Sequence, residues 1–98
     1  MVEVRQTETF LTWFKDLKDR KAKARIQARI DRMELGNFGD VVAVGAGVNE
    51  LRIHYGPGYR VYFTQVDLVV VILLSGGDKS SQDSDIKKAK EFAKQLED

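Results

Sequence analysis

The feature that most restricts how this chain can fold is a change of hydrophobic period at Val41. Before it, apolar residues recur at helical spacing. Phe10, Trp13, Phe14 and Leu17 stand at i, i+3, i+4 and i+7, and Ala22, Ile26, Ile30 and Met33 make a second stripe. After it come short runs rich in Val, Ile, Leu and Tyr, separated by Gly- and Pro-bearing junctions, which is the pattern of strands. Helices first and consecutive strands afterwards describe an α+β domain, here a single one over 1–98.

Local signals sharpen this outline. Val2 to Arg5 alternates as a short strand, and Thr7 offers an N-cap for a first helix near 8–18. Asp19 caps a second helix that Gly36 ends, and the two are joined tightly enough to lie as an antiparallel hairpin. Val41 to Val44 is a strand ending in the bend Gly45-Ala46-Gly47. Three further strands are expected at Asn49–Tyr55, Tyr59–Gln65 and Leu68–Leu74, joined by Gly56-Pro57-Gly58 and by Val66-Asp67. A polar loop, Ser75 to Ser81, then leads to a last helix near 82–97 with Ile86, Ala89, Ala93 and Leu96 facing inward.

Composition narrows the chemistry. The chain has no cysteine and one histidine, His54, so thiolate sites and sites needing two imidazoles are excluded; no metal and no cofactor are expected. Sixteen Lys and Arg against 15 Asp and Glu leave a formal charge of +1, so any nucleic-acid role must rest on local basic patches. The longest apolar run, Leu68 to Leu74, is far short of the roughly 20 residues that span a bilayer. With no leader-like segment at the start, a soluble, cytoplasmic protein without a membrane partner is expected.

Strand parity then gathers chemistry on one side. Leu51, Ile53 and Tyr55 share one face, as do Tyr59, Val61 and Phe63, which leaves Glu50, Arg52, His54, Arg60 and Tyr62 on the other. A three-residue loop at 56–58 pairs His54 with Arg60 and Arg52 with Tyr62. A turn at Val66-Asp67 sets Arg60 against Leu73 and brings Lys79 to the same end of the sheet. Arginine forks suit phosphate oxygens, and two of them beside one histidine call for an anion. Such a set suffices for RNA cleavage without metal: a base takes the ribose 2′-OH proton, the oxygen attacks the adjacent phosphate, and cations stabilise the charge that develops. The plainer reading is a solvated polar strand face. Similarly, the eight basic residues between Lys15 and Arg32 describe either the wet side of an amphipathic helix or a grip on structured RNA through Lys18, Arg20, Lys21 and Lys23. Ser75-Gly76-Gly77 lacks the spacing of a phosphate-binding loop.

Three runs in order carry a resemblance: Gly47 to Ile53, Gly58 to Phe63 with its Gly-Tyr-Arg, and Leu74 to Gln82 followed by Asp85, Ile86 and Ala89. Together they resemble the RelE-like addiction-module killer proteins, in the branch close to HigB, and Phe10, Trp13 and Leu17 suit that family's first helix. The resemblance implies a RelE/ParE-like fold of helices against a small antiparallel sheet. It also implies the toxin of a type II toxin–antitoxin pair, a small endoribonuclease that cuts mRNA on the ribosome. On matching positions the catalytic groups become Arg52, His54, Arg60 and Lys79, with Arg60 at the scissile phosphate; Tyr62 joins the RNA contacts. A cognate antitoxin, most often a helix-turn-helix protein, is the implied partner, with ribosome and mRNA. The chain departs from the pattern in two ways: His54 stands where some relatives have lysine, and no tyrosine follows Tyr62. Glu50 and Asp83 are alternative bases. The same scaffold also serves ParE-like gyrase inhibitors, and a non-catalytic binding module for a DNA-binding antitoxin is the third reading.

Overall fold

The structure, a computed structural model, describes residues 1–96. A strand β1 (Glu3–Gln6) leads into helices α1 (Glu8–Asp16) and α2 (Arg20–Glu34). Four strands follow, β2 (Val41–Gly45), β3 (Val48–Ile53), β4 (Tyr59–Asp67) and β5 (Val70–Asp78). A short 3-10 turn, Lys79–Ser81, then opens α3 (Gln82–Leu96). The sheet runs β1-β5-β4-β3-β2. It is mixed and not antiparallel throughout as expected, because β1 lies parallel to β5 along its edge.

Capping explains the helix ends. The Thr7 hydroxyl accepts from the Phe10 amide at 3.1 Å and donates to the Leu74 carbonyl at 2.8 Å, so one residue starts α1 and ties it to β5. The Asp19 carboxylate accepts from the amides of Lys21 and Ala22, starting α2. Gly36, at φ +87°, ends α2, with its amide on the Met33 carbonyl and the Asn37 amide on that of Arg32.

The sheet is covered on both faces. On one side Phe10, Ile26, Ile30 and Met33 from α1 and α2 pack on Leu51, Val61, Phe63, Val71 and Leu73. On the other, Ala89 and Ala93 of α3 pack on Val48, Tyr62 and Leu74, with Ile86 beside them. Truncating a fully buried isoleucine such as Ile26 or Ile30 would cost about 2–5 kcal/mol. Leu96, expected inward, is 44% exposed; the expected helix end at residue 97 lies outside the described residues. No helix is long and apolar enough to cross a membrane among the described residues.

Both hairpins differ from the parity reading: the first keeps its faces and changes partners, whereas in the second Phe63 pairs with Leu73 instead of Val70, so β5 is turned over, with Val71 and Leu73 on the α1 and α2 side and Leu74 on the α3 side. Arg52 sits opposite Arg60, Glu50 opposite Tyr62 and Leu51 opposite Val61, a shift of two residues. The loop is five residues long, because Tyr55 leaves the ladder. Its ring lies under the Arg25 guanidinium at 4.7 Å and its hydroxyl donates to Asp19 at 3.1 Å. A shift of two returns every side chain to its own face. The second turn is Leu68-Val69, held by the Asp67 carboxylate accepting from the Val69 amide at 2.7 Å. Irregularities near Val66 and Leu74 carry β5 on to Asp78, so Arg60 faces Gly77 instead of Leu73.

Candidate active site

Arg52 and Arg60 stand directly across from one another on the α3 side of the sheet, a like-charge pair that destabilises a sheet unless neutralised. Glu50 neutralises it. Its Oε1 accepts from Arg52 Nε at 2.9 Å and lies 3.4 Å from Arg60 Nε, while Oε2 accepts from Gln82 Nε2 at 2.9 Å. The side chain is fully buried. Burial alone would raise its pKa, but the hydrogen bonds from Arg52 and Gln82 and the charge of Arg60 outweigh it and hold Glu50 below the usual carboxylate range. Glu50 therefore stays ionised and fixes the arginines. Arg60, 9% exposed, is held at its far end too, where Nη1 donates to the Gly58 carbonyl at 2.9 Å.

These arginines open onto a groove of about 650 Å³ walled by Arg52, His54, Arg60, Lys79, Gln82 and the Tyr55–Gly58 loop. The four residues singled out from the sequence as catalytic thus border one space, with no carboxylate among its lining residues. Gly58, at φ +80°, takes a backbone conformation that disfavours a side chain. A Cβ there would meet Arg60 Nη1 at 3.4 Å and Lys79 Cβ at 3.6 Å. Lys79 is exposed on the 3-10 turn. That turn is started by Asp78, whose carboxylate accepts from the Ser80 amide at 2.8 Å and is held low chiefly by the Ser80 hydroxyl.

His54 is not opposite Arg60 as expected, because the longer loop carries it past the end of β3. It is exposed, and its Nε2 lies 2.5 Å from Asp40 Oδ2. That hydrogen bond is the largest influence holding the Asp40 carboxyl below its usual range. Behind this pair, Arg29 of α2 clamps three carbonyls. Nη1 donates to Arg52 at 2.5 Å, and Nη2 donates to Phe38 at 3.1 Å and to Asp40 at 3.3 Å. The Asp40 carbonyl also accepts from the Arg52 amide at 3.1 Å. Burial lowers the Arg29 pKa, Asp40 opposes this, and Arg32 adds to it.

The expected RNA contacts are placed differently. Tyr62 is a correction: it lies fully buried beneath α3 and offers no surface to a ligand. Its hydroxyl has no hydrogen-bond partner among the described residues, and burial, with Glu50 nearby, raises its pKa. Lys18, Arg20 and Lys21 are exposed where α1 meets α2, outside the groove. Lys23 is engaged locally, donating to the Lys15 carbonyl at 2.9 Å with its ammonium 5.8 Å from the Phe14 ring centre.

Four residues of the site escaped the sequence reading: Asp40, Arg29, Gln82 and Tyr55. Each acts across a loop or between layers, where strand parity carries no information. Among the described residues no group of three or more His, Cys, Asp or Glu side chains is placed to hold a metal ion. Chemically, the groove offers a preorganised set of cations and one imidazole oriented by a carboxylate.

Residues 12–97 match the family described as phage derived protein Gp49-like. A Haemophilus influenzae protein described as uncharacterized is 53% identical over 95 residues, covering 97% of this chain and 96% of its own.

Proposed function

The chain belongs to the Gp49-like family of phage-derived proteins, a family associated with toxin–antitoxin modules, and on that footing we propose that it is a toxin acting as a ribosome-dependent endoribonuclease. The observation that carries this reading is the groove, with no carboxylate among its lining residues, that Arg52, His54, Arg60 and Lys79 border together. A phosphodiester seated there would meet the forks of Arg60 and Arg52 and the Lys79 ammonium. These charges stabilise the extra negative charge of the five-coordinate phosphorus. His54, oriented by Asp40, takes the proton of the ribose 2′-OH. The 2′-oxygen bonds to phosphorus, the bond from phosphorus to the 5′-oxygen breaks, and that oxygen leaves with a proton from solvent. The products are a 2′,3′-cyclic phosphate and a 5′-hydroxyl. Glu50 is the weaker choice of base because it is buried and already bonded to Arg52 and Gln82.

The reading includes a RelE-like arrangement of the groove, a cytoplasmic setting, mRNA on the ribosome as substrate, and an antitoxin, a helix-turn-helix protein, as partner. Induced expression of wild type, Arg60→Ala and Lys79→Ala, with transcript 5′ ends mapped, tests it. Growth arrest with new cuts inside translated messages is expected for wild type, with neither for Arg60→Ala. Arrest with DNA damage and intact messages would replace this reading with gyrase inhibition.

A further inference from the structure

A second cleft, of about 300 Å³, opens beside the groove and is lined by Arg25, Ala28, Arg29, Arg32, Ile53 and His54. Arg25, Arg29 and Arg32 follow one another at i, i+4 and i+7, so they form one stripe of α2. No carboxylate is among the lining residues. His54 belongs to both walls, which makes it the ridge between two basic hollows. We propose that this cleft is a second phosphate subsite, holding the backbone phosphate next to the one cleaved as a single RNA strand passes over His54.

Two features distinguish the cleft from a merely solvated helix face. The first is preorganisation. Arg25 is laid on the Tyr55 ring at 4.7 Å, and Tyr55 is itself fixed by Asp19. Arg29 is fixed by its three carbonyls. Donors held in place lose little freedom when an anion arrives. The second is that the side chains of Arg25 and Arg32 make no ion pair or hydrogen bond among the described residues, while the Asp40 carboxylate is engaged by His54 and sits beside Arg29. Ala28 and Ile53 form an apolar floor, so a phosphate there is met by side-chain forks at its edges.

The subsite rests on the proposed function, and the test separates the two. Binding of 2′-O-methyl oligoribonucleotides, which resist 2′-OH attack, would be followed by fluorescence anisotropy against salt. A dinucleotide and an octanucleotide are compared for wild type, Arg25→Ala/Arg32→Ala and Arg60→Ala. The double variant should bind the dinucleotide like wild type. With the octanucleotide it should lose about 1.4 from the slope of log affinity against log salt, two contacts at about 0.7 each for single strands. Arg60→Ala should weaken both ligands. An unchanged octanucleotide slope in the double variant, with Arg60→Ala still impaired, would overturn the subsite and spare the groove. Failure of wild type to bind either ligand would overturn both.

Discussion

At Glu50 a buried carboxylate separates two arginines that the strand register sets face to face, and its charge rather than its shape is the essential property. Its folded pKa lies below the unfolded value of about 4.3. The stability it contributes is therefore present at neutral pH and is lost as pH falls through the folded value. Glu50→Gln should melt below wild type at pH 7 by a margin on the order of 3 kcal/mol. In a melting series the gap should narrow as the pH drops beneath about 4.3, where wild type also loses the charge. A gap independent of pH would show that the charge is not what matters. His54 offers a second test at this scale. Asp40→Asn keeps the shape of its partner and removes the charge that orients the imidazole, so the turnover rate should fall about tenfold to a hundredfold with little change in KM. An unaltered rate would remove the pair from the mechanism.

The elements meet most closely at Gly76 and Gly77, the residues that in sequence looked like a poor phosphate loop. They lie within β5, one facing each layer. A Cβ on Gly76 would lie 2.2 Å from the Trp13 ring of α1, and one on Gly77 would lie 1.9 Å from Asp85 Oδ2 of α3. Gly76→Ala should therefore destabilise the fold by about 1–3 kcal/mol in chemical denaturation, since an indole cannot shift without disturbing Phe10 and Tyr59 beside it. Unchanged stability would mean that α1 is free to retreat. Arg29 links α2 to the end of β3 and to the turn before β2. Arg29→Lys cannot serve three carbonyls with a fork it lacks, so activity should fall on the order of a hundredfold in kcat while the melting temperature changes little.

The helices and the faces of β3 and β4 were legible because periodicity reports them directly: the stripes of α1 and α2, the caps at Thr7 and Asp19, and the sides taken by Glu50, Arg52 and Arg60 all follow from spacing, whereas β5, apolar on both faces, was read turned over. Register was not legible. It depends on Tyr55 being drawn to Asp19 and Arg25, a contact between residues far apart in the chain. The parallel pairing of β1 with β5 and the Asp40–His54 pair were hidden for the same reason.

For the molecule as a whole, a formal charge of +1 conceals a strong asymmetry. Helices cover both faces of the sheet, and the groove opens where the β3–β4 loop, the 3-10 turn and the start of α3 meet. Its lining bears three cations and no carboxylate, and the arginine-lined cleft adjoins it across His54. A single histidine and a handful of cations can cleave RNA if the substrate arrives positioned, which is why the ribosome belongs to the proposal. The most direct measurement adds purified protein to ribosomes programmed with end-labelled mRNA and reads the fragments and their terminal groups. Wild type should cut the message and leave a 5′-hydroxyl on the downstream piece. Arg60→Ala should be slower by about a hundredfold to a thousandfold. Intact message with wild type, or equal cutting by Arg60→Ala, would contradict the account.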